Sequence, residues 1–109
     1  MRIVVACQGL GVSPLYDISD AYTFYTIERG VITSCQSLPF TRATDESRVS
    51  MLLSLDVNVL ICGAINADAA AEYCHAGIEV IAGCNGTARE VVDAWLSKTL
   101  SGAEELCSL

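Results

Sequence analysis

The chain has few of the features that mark a membrane protein or a nucleic-acid-binding protein. No apolar run approaches the roughly 18 residues that a membrane-spanning helix needs, and the apolar start is too short for a signal peptide. Six basic residues stand against thirteen acidic ones, a net charge of −7. The basic surface that binds nucleic acid is therefore missing. These absences favour a cytoplasmic protein without membrane or nucleic-acid partners.

Histidine is also scarce, with one in 109 residues, whereas cysteine is frequent, with six. No C-x-x-C pair occurs, which argues against a zinc knuckle and a thioredoxin-type motif. Structural disulfides are not favoured either, because cytosolic thiols are kept reduced. The length and the hydrophobic fraction of 52% suit one core, so we expect one domain spanning residues 1–109.

The apolar runs predict five strands in the order βββαβαβα. Residues 3–7 form a continuous apolar run, typical of a strand covered on both faces, and residues 57–62 and 78–82 are predicted as further strands. Residues 21–27 and 31–35 form a predicted hairpin. Loops are expected over residues 8–20 and 36–43. The three helices have predicted N-caps at Thr44, Asn66 and Thr87, and Thr87 forms a capping box with Glu90.

Right-handed crossovers make strands one, four and five parallel, and the hairpin places strand two antiparallel beside strand one. The predicted fold is α/β: a mixed five-stranded sheet of order 3-2-1-4-5 in a three-layer α/β/α, ribonuclease-H-like arrangement. Ribonuclease H enzymes carry metal-binding carboxylates on the central strand. Residues 3–7 contain no acid, so nuclease activity is disfavoured.

A cysteine ends each of the three parallel strands, at Cys7, Cys62 and Cys84. Ligands of open α/β sheets bind at this edge, and thiolates suit soft metals such as iron, molybdenum or copper in sulfur clusters. The following helix N-termini favour an anionic cluster and lower the pKa of nearby thiols. We therefore predict these three cysteines as metal ligands, with inert burial and redox sensing as alternatives.

The loops around these thiols supply further candidates for cofactor binding. Ser13 and Tyr16 lie in the long first loop, which we expect to reach over the same edge with the tyrosine ring partly exposed. Arg48 is expected on the surface of the first helix. Besides the three cysteines, the predicted cofactor-binding residues are Ser13, Gly63, Asn85, Gly86 and Thr87.

Several segments in order carry a family resemblance. They are the initial Met-Arg-Ile-Val-Val-Ala, the loop Val12-Ser13-Pro14, the hairpin at 21–30, residues 57–65 and residues 76–87 with the last helix. In these the chain resembles the dinitrogenase iron–molybdenum cofactor biosynthesis family, whose NifX-like domains also occur in NafY and at the C-terminus of NifB.

The resemblance implies a non-catalytic protein that binds or carries an iron–molybdenum-cofactor-type cluster or its precursor. It implies cluster-assembly or cofactor-recipient proteins as partners. Many members carry histidines at two positions where this chain has none. At the first, in the loop after Ser13, this chain has Leu15 and Tyr16, and at the second, before the first helix, it has residues 41–46.

The residues leave other functions open. One is a small redox sensor or thiol enzyme that uses Cys62 or Cys84, and another is an apo interaction module for a cluster-assembly protein. A homodimer formed through the edge strand at 31–35 is a further option.

Overall fold

A computed structural model describes residues 1–16, 19–39, 45–97 and 104–105 of the chain. Within them it forms seven strands and three helices, so the predicted mixed α/β fold is confirmed. The strands are β1 (Arg2–Gln8), β2 (Gly11–Val12), β3 (Ala21–Glu28), β4 (Val31–Pro39), β5 (Val59–Ile61), β6 (Glu79–Ala82) and β7 (Glu104–Glu105). The helices are α1 (Asp45–Ser54), α2 (Ala67–His75) and α3 (Ala88–Leu96).

The strands lie in the order β4-β3-β1-β5-β6-β7, and β2 pairs with β1 outside this path. Strands β1, β5 and β6 are parallel, and β3 runs antiparallel to both β1 and β4. The five strands expected from the sequence are therefore neighbours as predicted. Assignment to the ribonuclease-H-like class stays a prediction.

Pairing changes the extent of several elements. Strand β4 continues to Pro39, where the sequence predicts a loop from residue 36, because the long β3 offers it partners as far as Ala21. Inside the predicted first loop, Gly9 takes a φ of +67° and lets β2 fold back onto β1. Strand β7, which the sequence does not predict, pairs with β6. Long-range pairing overrides local propensity in each case.

The sheet has a separate core on each face. The core beneath α1 and α2, here the α1/α2-side core, contains Val4 and Ala6 of β1. The core beneath α3, here the α3-side core, contains Ile3, Val5 and Cys7 of the same strand. Successive strand residues point to opposite faces, so β1 serves both cores and the domain has three layers.

The caps predicted at Asn66 and Thr87 are present, and Thr44 lies outside the described residues. The Asn66 side chain accepts a hydrogen bond from the Ala69 N–H at 2.8 Å. Thr87 and Glu90 form the predicted capping box at the start of α3. Each cap fixes a helix N-terminus at the carboxyl edge of the sheet. In the part of the chain that the structure describes, no helix has the length and apolar character needed to cross a membrane.

Candidate functional site

The carboxyl edge of the sheet is crossed by residues 9–16, here called the covering segment. Residues 9–12 form its near half, which lies against the loop between β6 and α3. Residues 13–16 form its far half, which lies against the loop between β5 and α2. The two halves are held in different ways.

The near half is attached mainly through backbone groups. The Val12 N–H donates to the Gly86 carbonyl at 2.9 Å, and the Ala88 N–H donates to the Leu10 carbonyl at 3.3 Å. Gly11 also forms an isolated antiparallel bridge with Thr87. The Leu10 side chain is 90% exposed and Val12 is partly buried against the α3-side core, so this half buries less side-chain surface than the far half.

The far half packs tightly against Gly63. The Ala64 N–H donates to the Pro14 carbonyl at 2.9 Å, and the Tyr16 N–H donates to the Ala64 carbonyl at 2.8 Å. A Cβ atom at Gly63 would collide with the carbonyl oxygens of Ser13 and Pro14. Two predicted binding residues, Ser13 and Gly63, are thus in contact, and glycine allows the approach.

Tyr16 anchors the far half in the α1/α2-side core and is fully buried, which corrects the expectation of a partly exposed ring. Its hydroxyl hydrogen-bonds with those of Tyr22 and Tyr73. Arg48 places its guanidinium 4.9 Å from the centre of the Tyr16 ring and donates to the Tyr16 carbonyl at 3.3 Å. Arg48 is therefore buried, not a surface residue as predicted. Sequence reasoning missed this cluster because its members are far apart in the chain.

The three predicted metal ligands do not share one face of the sheet. Cys7 and Cys84 lie in the α3-side core, whereas Cys62 lies in the α1/α2-side core. Strand alternation would place Cys84 with Val80 and Ala82, on the same side as Cys62. Gly83, with a φ of +75°, interrupts the alternation and turns Cys84 to the other face.

These thiols are also buried, and burial favours their protonated form. Their exposed fractions are 1% for Cys7, 0% for Cys62 and 4% for Cys84. Desolvation raises the pKa of all three, to about 12 for Cys62 and about 11 for Cys84. The sequence predicts lowered pKa values beside helix N-termini, but here the cost of burying a thiolate outweighs the helix dipole.

Within the described ranges, no three His, Cys, Asp or Glu side chains lie close enough together to hold a metal ion. The remaining predicted residues, Asn85, Gly86 and Thr87, are exposed on the β6–α3 loop. The structure thus gathers the predicted residues around one edge without joining the three thiols into a ligand set.

The N-terminus of α3 is already occupied by protein groups. The Ala88 N–H donates to the Leu10 carbonyl, and the Glu90 N–H donates to the Thr87 hydroxyl at 3.1 Å. An anion that bound these N–H groups would have to displace the near half of the covering segment.

Two other cysteines have different environments. Cys35 is a free, exposed thiol on β4. Cys74, near the end of α2, is disulfide-bonded, although the sequence did not favour structural disulfides. Cys107 lies outside the described residues.

A mixed sheet with two helices on one face, one on the other and a loop across its carboxyl edge defines a small open-sheet α/β domain. The model of the dinitrogenase iron–molybdenum cofactor family matches residues 1–98. The chain belongs to that family, as the resemblance implied. Members of this family are generally cofactor-binding or carrier proteins. No curated protein matches the chain.

Solved structures share the fold at low sequence identity. The protein PH0822 has a TM-score of 0.86 at 17% identity over 93% of both chains. The apo form of the orange protein from Desulfovibrio gigas has a TM-score of 0.75 at 19% identity, over 94% of this chain and 95% of that one. A candidate NifB protein from Thermotoga has a TM-score of 0.73 at 22% identity, over 99% and 95%. At these identities the likeness shows the fold alone.

Proposed function

We propose that this domain is a non-catalytic carrier of an iron–molybdenum-cofactor-type cluster or its precursor, which it exchanges with cofactor-assembly or recipient proteins. The observation that carries the proposal is the family match over residues 1–98. The cluster is cargo, bound at the carboxyl edge of the sheet where the covering segment now lies.

Displacement of the covering segment would uncover a thiol and a hydrogen-bond donor together. Moving the near half releases the Ala88 N–H from Leu10, next to the loop that contains Cys84. Moving the far half releases the Ala64 N–H from Pro14, two residues after Cys62. Backbone donors beside soft thiolates suit an anionic metal–sulfur cluster, which would take the place of the loop carbonyls.

The raised pKa values argue against redox sensing. Sensor thiols are accessible and have low pKa values, whereas Cys7, Cys62 and Cys84 are buried with raised ones. The one histidine, His75, is exposed at the last position of α2, which begins at the carboxyl edge and runs away from it. That position offers no general base to a thiol enzyme at this edge.

The proposal is tested by loading the protein under anaerobic conditions. The full chain is incubated with ferrous iron, sulfide and tetrathiomolybdate and then desalted. Metal and sulfide are quantified, and the absorption spectrum is recorded. We expect stoichiometric molybdenum and iron in the wild type, lost in a Cys62→Ala/Cys84→Ala variant. A parallel incubation with copper(I) in place of iron distinguishes the two metals.

Cys35→Ala is the matched control, because it removes an exposed thiol that the strand register places level with Ile3, at the opposite end of β1 from Cys7. It should load like the wild type, and circular dichroism should show that every variant is folded. A wild type that takes up no cluster would contradict the carrier function. If the double variant loaded as much cluster as the wild type, the cluster would bind at a site that does not use Cys62 or Cys84.

A further inference from the structure

Strand β4 forms one edge of the sheet, and its sequence differs from that of a protected edge. In the described part of the chain, no strand pairs with its outer side. Its residues, Val31–Pro39, are mostly exposed and include no charged side chain, although the whole chain carries a net charge of −7. Edge strands that must stay unpaired usually carry charges.

The ladder shows which backbone groups of β4 face outward. Met1 and Ile27 exchange hydrogen bonds in both directions, so Ile27 directs its backbone groups toward β1. By alternation, Tyr22, Phe24 and Thr26 direct theirs toward β4. Their register partners on β4, which face inward, are Leu38, Gln36 and Ser34.

Cys35, Ser37 and Pro39 therefore direct their backbone groups away from the sheet. Pro39 suits this position, because it lacks the N–H that an inward-facing residue would donate. On the other side, the register shifts between Thr26 and Ile27, which leaves Thr33 as the extra residue of a bulge. The regular part of the edge is thus residues 34–38, and Gln36 is its centre.

We propose that β4 pairs antiparallel with β4 of a second copy of this chain, about a two-fold axis at Gln36. The outward backbone N–H and C=O groups of Cys35 then hydrogen-bond with those of Ser37 in the second copy. Ser37 of the first copy pairs in the same way with Cys35 of the second. The four backbone N–H groups and four carbonyls that Cys35 and Ser37 of the two copies direct outward all find partners. Every residue between the bulge and Pro39 then has a partner residue in the second copy. Such an isologous pair closes as a dimer.

Charge supports a second copy as the occupant. Like charges opposite each other across a strand pair are unfavourable. Two copies of an acidic chain avoid such like-charge pairs only where the paired edge strands carry no charge. Outside β4 the two copies still repel each other through their net charges. The dimer should therefore strengthen as salt screens that repulsion.

The axis is tested by disulfide trapping. Gln36→Cys is made in a Cys35→Ser background, and the protein is oxidised with copper phenanthroline. The two Cα atoms of a non-hydrogen-bonded antiparallel pair lie about 4.5 Å apart, within disulfide reach. We expect a covalent dimer from this variant and none from the Cys35→Ser background. Ser34→Cys in that background is the matched control. An axis at Gln36 places position 34 of one chain four residues along the strand from position 34 of the other, too far for a disulfide.

Light scattering over a concentration and salt series gives the second readout. We expect the wild type to dimerise and Ser37→Lys, which adds a charge at an outward-facing position, to stay monomeric while folded. A monomeric wild type at every concentration and salt would overturn the proposal, as would equal trapping of the Ser34→Cys control. Efficient trapping of wild-type Cys35 with itself would overturn the axis at Gln36. None of these results depends on cluster loading.

Discussion

The two halves of the covering segment cross the same sheet edge but are anchored by different physical means. The near half has an exposed leucine and a partly buried valine, and it is held mainly by backbone hydrogen bonds to Gly86 and Ala88 and by the pairing of β2 with β1. The far half has two fully buried side chains, Ser13 and Tyr16, as well as its backbone bonds to Ala64.

This difference predicts an order of opening. Exposed backbone hydrogen bonds contribute about 1 kcal/mol each, whereas withdrawing a buried aromatic side chain costs several times as much. The near half should therefore open more often and uncover Cys84, while the far half keeps Cys62 closed. Local openings of this kind span a wide range of free energies within one domain.

Removal of the Tyr16 ring should have the largest effect and should erase the difference between the halves. Tyr16→Ala deletes a fully buried ring, so we expect a loss of about 3–5 kcal/mol in the free energy of unfolding. Tyr16→Phe keeps the ring and removes only its hydroxyl, so about 1–2 kcal/mol is expected. Urea denaturation measures both losses.

Alkylation followed by mass spectrometry then reports access to each thiol. In Tyr16→Ala, Cys62 should react as fast as Cys84, whereas in the wild type it should be the slower of the two. Unchanged Cys62 labelling in a folded Tyr16→Ala protein would show that the tyrosine does not close the far half.

Substitution of the two loop glycines, Gly63 and Gly11, should have an intermediate effect on the free energy of unfolding. It should also perturb the two halves of the covering segment independently. Neither Gly63 nor Gly11 has a positive φ, so alanine is tolerated by the backbone at both positions. At Gly63 the new Cβ would lie 2.7 Å from the Pro14 carbonyl oxygen, whereas at Gly11 it would lie 3.1 Å from that of Gly86. Overpacking against backbone costs about 1–3 kcal/mol.

We therefore expect Gly63→Ala to lower the free energy of unfolding more than Gly11→Ala and to speed labelling of Cys62. Gly11→Ala should speed labelling of Cys84 alone. Thermal unfolding and thiol labelling of the two variants test this, and the same labelling pattern in both would mean that the covering segment opens as one unit.

The smallest effect concerns pH. Burial raises the pKa of Cys62 to about 12 and that of Cys84 to about 11, from a usual 9.0. Each thiol then stabilises the fold fully below pH 9 and loses that contribution as the pH rises through 9 toward the folded value. The expected loss is roughly 1 kcal/mol per pH unit for each thiol.

The measurement is the free energy of unfolding between pH 8 and pH 10, a range that stops at the usual pKa of tyrosine, 10.0. Cys62→Ala and Cys84→Ala should each lower the wild-type slope by about a third, because Cys7 is also a buried thiol with a raised pKa, and Cys35→Ala should keep the slope. A slope that is the same in all four proteins would mean that the buried thiols are not responsible for it.

Much of the framework could be predicted from local patterns. Short, mostly apolar segments located the parallel strands, and Asn66 and Thr87 located the starts of two helices. Crossover handedness then ordered the strands. The candidate site was less predictable, because the direction of Cys84 depends on the positive φ of Gly83, which strand alternation does not reveal.

The sequence by itself determined the five main strands, two capped helices and the presence of a cysteine at the end of each parallel strand. These follow from side-chain periodicity and capping chemistry along a few adjacent residues. Only the tertiary structure decided that the thiols are buried on two faces and that Tyr16 joins Tyr22, Tyr73 and Arg48 beneath the covering segment. Those contacts join residues up to 57 positions apart. The burial that raises the thiol pKa values likewise exists only once the layers have packed together.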